Sequence, residues 1–245
     1  MNLLAGIGQF GIFLVRSLFI PLDLGKTGKR WVDQIFEIGI GSLPIVFVMA
    51  IFVGLTTAIQ TSYQTVGIVP KYFLGIAIGR IILIEFGPVF TAFVVAGKSA
   101  SAMAAEIGTM RVTEQIDALE MMAINPYRYL SLPRILGTIV ALPALVVFTE
   151  LIAIITSILT SIYLLRVPYS DLAYGLIHHF RFNDLAGGLI KAFFFAFLIA
   201  SSGCFFGFKA TGGAKGVGKA VTNAVITSLI LIFAFDFINA LLFFR

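Results

Sequence analysis

The sequence predicts an all-α integral membrane protein with about five transmembrane helices, an N-terminal interfacial helix and a short cytoplasmic helix. Three observations carry this. Of 245 residues, 59% are hydrophobic, against ~45–50% in a soluble domain. Only 12% are charged, about half the ~25% of an average protein. Several uncharged runs are long enough, at ~1.5 Å per residue, to cross a ~30 Å hydrocarbon layer. No hydrophilic domain or Pro/Ser-rich linker interrupts the chain, so residues 1–245 read as one domain.

The first segment, residues 1–22, carries only Arg16 before Ile20, is interrupted by Gly6, Gly8 and Gly11, and ends at Pro21. It lacks the basic start and small-residue cleavage site of a signal peptide, and it is expected to stay and lie in the membrane interface. The uncharged run 38–59 is the first crossing. The second spans 72–97, with Arg80 and Glu85 inside it, and the third 135–165, with Glu150 inside it. Residues 192–208 and 220–244 supply the fourth and fifth, the last containing Asp236.

Basic residues between the crossings give the orientation. Arg16, Lys26, Lys29, Arg30, Lys98, Arg111, Arg128, Arg134, Lys209, Lys215 and Lys219 fall on one side, against Lys71, Arg166, Arg181 and Arg245 on the other. The richer side is expected in the cytoplasm, with the N-terminus there and the C-terminus across the membrane.

The net charge of +5 is spread thinly between apolar runs, which fits topology and not nucleic-acid binding. Cys204 is the only cysteine, so no intrachain disulfide or multi-cysteine metal site exists. Gly213-Ala-Lys-Gly-Val-Gly-Lys219 has the spacing of a phosphate-binding loop. Ala220 follows where a magnesium-binding hydroxyl is needed, and no strand precedes it, so a basic turn between helices is expected. Gly6-Ile-Gly-Gln-Phe-Gly11 lacks the strand of a dinucleotide site for the same reason. His178 and His179, adjacent in sequence, point ~100° apart on a helix and do not make a metal site. No cofactor is expected in this chain.

One segment differs from the rest. Thr113 is expected to cap a helix of roughly three turns whose first turn holds Glu114 and Asp117, with Asn125-Pro126 stopping it. Ile116, Leu119 and Ala123 share a face; Glu114, Asp117 and Glu120 carry charge. A membrane-surface helix usually presents Lys or Arg. An acidic one points toward a protein partner, into a groove of which the Ile116 and Leu119 face is expected to insert.

Ala105-Glu-Ile-Gly108, Thr113-Glu-Gln115 and Leu119-Glu-Met-Met122, followed by Asn125-Pro126, resemble the signature of the MlaE/YrbE-type permease family. Glu85-Phe-Gly-Pro88 and Ala96-Gly-Lys-Ser99 resemble that family's Glu-Leu-Gly-Pro and Ala-Gly-Arg blocks, and the likeness runs from about Gly39 to the C-terminus. The resemblance implies an inner-membrane permease subunit of an ABC transporter that moves phospholipid or a related lipid, an expectation that includes no enzymatic activity of its own. It implies a homodimer, a separate cytoplasmic ATPase holding the ATP and magnesium, and a periplasmic MCE-domain partner. The region 106–123 would be the coupling region, with Glu106, Glu114, Ile116, Asp117, Leu119 and Glu120 as its residues. By the same resemblance Ile59, Tyr63 and Val66 would line an acyl-chain cavity. Ile84 stands where the family often has Arg, and Lys98 where Arg is common, a point charge in place of a guanidinium fork.

Charges inside a membrane helix cost at least ~2.5–3.5 kcal/mol each, so each implies a partner, a wet cavity or a role. Pro88 removes a backbone donor and should bend the second crossing beside Glu85. Glu85 and Arg80 are candidate polar residues of a lipid cavity; a buried ion pair is the structural alternative. Arg80 sits ~140° round a straight helix from Glu85, a poor angle for pairing. Glu150 and Asp236 are expected to bond helix to helix. A proton-coupled secondary transporter using Arg80, Glu85, Glu150 and Asp236 is the competing reading, although no inverted repeat supports it.

Overall fold

A chain in hydrocarbon must satisfy its backbone polar groups internally, so long uncharged runs fold as helices. The computed structural model describes residues 3–18, 24–65 and 70–243, and among these five helices are long and apolar enough to cross a membrane. In order the elements are α1 (Leu3–Leu18), α2 (Leu24–Thr65), α3 (Tyr72–Ile81), α4 (Gly87–Val95), α5 (Ser101–Val112), α6 (Gln115–Met121), α7 (Leu132–Tyr163), α8 (Tyr169–His178), α9 (Phe182–Phe208) and α10 (Gly213–Phe243). The chain is a multi-pass membrane protein. Its crossings are α2, the continuous rod α3–α5, α7, α9 and α10. One end of the bundle carries α1 and α6, the other α8.

The rod α3–α5 is joined by π-helical segments at Ile82–Phe86 and Ala96–Ala100. The disturbance expected at Pro88 takes this form: the Gly87 N–H reaches back to the Ile82 carbonyl, one residue further than in an α-helix. Glu85 lies inside that widened turn. The only π-turn outside this rod among the described residues, Tyr127–Ser131, leads into α7.

Helices approach where side chains are small. Ser157 of α7 donates a 2.8 Å hydrogen bond to the Gly54 carbonyl of α2. The small-residue spacings at Gly75/Gly79 and Gly203/Gly207 both serve contacts: a Cβ at Gly75 would lie 2.5 Å from the Leu172 carbonyl of α8, and one at Gly207 2.8 Å from Ile107 of α5. The main core joins residues such as Val95, Ile107, Leu142, Phe195 and Ile199. Phe13 of α1 docks on it, edge-on to Tyr127 and Phe205. Pro21, expected to end α1, lies outside the described residues.

Two local expectations are corrected. Residues 213–219 form the first turns of α10 and not a connecting turn; Gly212 and Gly213, at φ +85° and +70°, absorb the reversal instead. Thr113 does not cap α6. Its hydroxyl donates back to the Thr109 carbonyl at 2.8 Å, closing α5, and Glu114 enters α6 in a left-handed conformation with no side-chain cap. The helix is correspondingly shorter, two turns. It ends in a Schellman turn at Ala123 (φ +57°), where the Ile124 N–H bonds Leu119 O and the Ala123 N–H bonds Glu120 O. Asn125 instead caps the next segment, accepting from the Tyr127 N–H at 3.0 Å.

Candidate functional site

The intramembrane charges sort themselves around a residue that hydropathy leaves at a boundary. Lys191 sits one position before the uncharged run 192–208, yet its side chain is 1% exposed within α9. Its ammonium donates to Glu85 Oε1 at 2.8 Å and lies 2.8 Å from Asp236 Oδ1 in an ion pair. One cation thus ties the π-turn of the second crossing to α9 and α10. Glu85 remains about one-third exposed, so the cluster reaches the bundle surface. Asp236 links helices through this ion pair, not through the hydrogen bond expected of it, since its Oδ1 has no hydrogen-bond partner. The partner of Glu85 is not Arg80.

Arg80 turns toward the α8 end, where its Nε lies 3.5 Å from Asp184 Oδ2. The distance makes an ion pair, but the geometry gives that nitrogen no hydrogen bond. Asp184 and Lys191 are the two functional candidates that sequence reasoning missed. Both are charges at the start of an apolar run, and an unmatched opposite charge within a neighbouring run, Arg80 for Asp184 and Glu85 for Lys191, is the signal that could have found them.

Glu150 does not form the helix-to-helix hydrogen bond expected of it. It is buried on α7, packed so closely on Gly87 that a Cβ there would meet its Cγ at 2.7 Å, and its Oε1 has no hydrogen-bond partner. Ile59 and Tyr63 lie on the outer surface of α2, Tyr63 85% exposed. Both face outward from the bundle; Val66 lies outside the described residues.

At the other end, α6 is pinned to the body. Ile116 and Leu119 are buried, 2% and 9% exposed, in the main core. The face expected to insert into a partner therefore points inward, because those side chains cover the apolar end of the bundle. Asp117 binds Arg111 of α5 at 2.5 Å, and Glu106 binds Arg134 of α7 at 2.6 Å. What α6 presents outward is Glu114, Ala118, Glu120, Met121 and Met122, with Met121 89% exposed. It is a braced helix with an apolar, acid-flanked outer face.

The sequence model of the family "Permease MlaE" matches residues 31–242. The chain belongs to the MlaE permease family. A probable ABC transporter permease protein of Rickettsia felis is 34% identical over 245 residues, covering 98% of this chain and 92% of that protein. A probable ABC transporter permease protein of Synechocystis sp. is 34% identical over 234 residues, covering 95% and 89%. The Arabidopsis thaliana chloroplastic protein TRIGALACTOSYLDIACYLGLYCEROL 1 is 31% identical over 243 residues, covering 95% of this chain and 69% of its own length. This MlaE-family member is thus a membrane-spanning permease subunit of the ABC-transporter kind. The permease's π-turn at Glu85 and its braced α6 fall among the blocks through which its sequence resembles the family.

Proposed function

We propose that this permease moves phospholipid or a related lipid between the inner membrane and a periplasmic MCE-domain protein, driven by a separate cytoplasmic ATPase. The reading is carried by α6. A two-turn helix pinned by Ile116 and Leu119, clamped by Arg111–Asp117 and offering Met121 and Met122 outward is built to pass a push into the rod α3–α5. Methionines flanked by charge suit a groove on another protein, the apolar atoms giving affinity and Glu114 and Glu120 giving register. ATP and magnesium belong to that partner.

The lipid assignment draws on the family and on the glycolipid in the Arabidopsis relative's name. On this chain the lipid path is assigned to the outer face of α2 at Ile59 and Tyr63 and to the exposed edge of Glu85, closed by a second copy of the chain. Val66 and Arg80 are assigned to the same path. Residues 3–18 lie along the cytoplasmic interface, α6 faces the cytoplasm and the C-terminus the periplasm.

The deciding experiment is purification of the tagged permease from its host in mild detergent. An ATPase chain and an MCE-domain chain should co-purify, and mass spectrometry should find retained lipid. Proton-coupled uptake by the isolated permease in vesicles, with no ATPase bound, would refute the proposal.

A further inference from the structure

α6 is tied to the bundle at both of its ends. At its N-terminal end it joins α5, through the left-handed bend at Glu114 and the Arg111–Asp117 pair. At its C-terminal end it leads to α7. Asn125 follows its last turn and accepts from the Tyr127 N–H, so the π-turn Tyr127–Ser131 starts where the helix stops. That π-turn is itself gripped. The Arg30 guanidinium of α2 lies 3.5 Å from the centre of the Tyr129 ring, and the Tyr127 ring stacks on Phe208 of α9 at 4.9 Å.

Arg134 joins the two routes. It stands in the first turn of α7, its side chain 12% exposed. Its Nη1 donates to the Leu130 carbonyl of the π-turn at 2.8 Å, and its Nη2 donates to Glu106 Oε2 of α5 at 2.6 Å. A guanidinium presents its donors in a rigid fork, which fixes the carbonyl and the carboxylate relative to one another. Charge-assisted bonds of this length are also the strong ones. The result is a closed frame whose sides are α5, α6 and the head of α7, with Arg134 as the joint between α5 and α7. Opened at that joint, the frame flexes; closed, it moves as a unit.

We infer that Arg134 is a positioning residue for transport: it closes this frame, so that a push on α6 shifts the second and third crossings together and not the rod α3–α5 alone. The inference rests on the reading of α6 as the ATPase contact and adds the third crossing to what that contact drives.

The frame is tested without the ATPase and its use with it. In the full-length permease alone, amide hydrogen exchange over residues 127–134 is followed by mass spectrometry. Arg134→Gln and Glu106→Gln should each speed exchange there about tenfold, the loss of one charge-assisted bond, although Glu106 lies on another helix. Glu106 is 46% exposed, so its change to Gln is the milder and keeps the test valid if Arg134→Gln folds poorly. Exchange at the parent's rate in the variants overturns the frame. The complex with its co-purified ATPase is then placed in vesicles of phosphatidylethanolamine and phosphatidylglycerol carrying a fluorescent phosphatidylethanolamine, and ATP hydrolysed and lipid moved are measured together. Arg134→Gln leaves the outward face of α6 intact, so the ATPase should stay bound while lipid moved per ATP falls about tenfold. Glu106→Arg combined with Arg134→Glu restores opposite charges across the joint and should recover most of that ratio. A merely structural role would lower hydrolysis and transport together and leave the ratio at the parent's value; that result, or a charge swap that recovers nothing, overturns the inference. If the parent retains no ATPase, the reading of α6 falls and the exchange measurement alone decides the frame.

Discussion

Lys191 Nζ lies 2.8 Å from Glu85 Oε1 although the two residues are 106 positions apart. With Asp236 on its other side, this lysine holds three crossings by one charge. Replacing one member of a buried ion pair leaves the other charges uncompensated, a cost of ~3–5 kcal/mol. Lys191→Met should therefore lower the melting temperature of the detergent-purified permease sharply. The triple variant Glu85→Gln, Lys191→Met, Asp236→Asn should recover much of the loss, because nothing charged is then left unpaired. Equal stability of the single variant and the parent would show that the cluster does not hold the bundle.

The two faces of α6 should respond differently. Truncating a buried Leu or Ile to Ala costs ~2–5 kcal/mol, so Ile116→Ala should destabilise the permease measurably. Glu114→Lys combined with Glu120→Lys leaves the core untouched and should leave thermal stability within ~0.5 kcal/mol. The same charge reversal should reduce retention of the ATPase subunit on affinity resin, since interface complementarity becomes repulsion. Normal retention and normal lipid transport in the double variant would refute the coupling role.

Arg80 and Asp184 offer a contrast with the Lys191 cluster. Arg80 is 41% exposed and the contact is 3.5 Å, and pairs of that kind contribute ~0–1 kcal/mol. Asp184→Asn should shift the denaturation midpoint little. A loss as large as that of Lys191→Met would mean that the pair is shielded in the assembled permease.

Glycines separate by what surrounds them. At Gly175 a Cβ would overlap the Tyr72 carbonyl, so Gly175→Ala should pry α8 from α3 and destabilise that end of the bundle. Gly218, inside α10, has open space around it, and Gly218→Ala should stabilise by ~0.5–1 kcal/mol through reduced backbone entropy. The two melting curves should move in opposite directions.

Orientation is open to a direct test. In a Cys204→Ser background, Lys215→Cys should react with an impermeant maleimide only from the cytoplasm and Arg166→Cys only from the periplasm. Labelling of both from one side would overturn the five-crossing topology.

The crossings, the helical class and the distinct character of residues 105–126 were legible in the sequence because each follows from local composition: an uncharged run of about 20 residues can do little in a membrane but form a helix. The family blocks around Glu85 and Glu106 were legible as strings. Tertiary structure alone decided who meets whom. Arg80 and Glu85 are near in sequence yet turn to Asp184 and Lys191, because helix angle and packing, not proximity along the chain, choose a charge's partner. Periodicity placed Ile116 and Leu119 on one face of α6 but could not say which way that face turns, and the expectation that it turns to a partner failed, since Ala118, Met121 and Met122 give the opposite face apolar atoms too. The face that covers the bundle's exposed core turned inward, and the methionines were left outside.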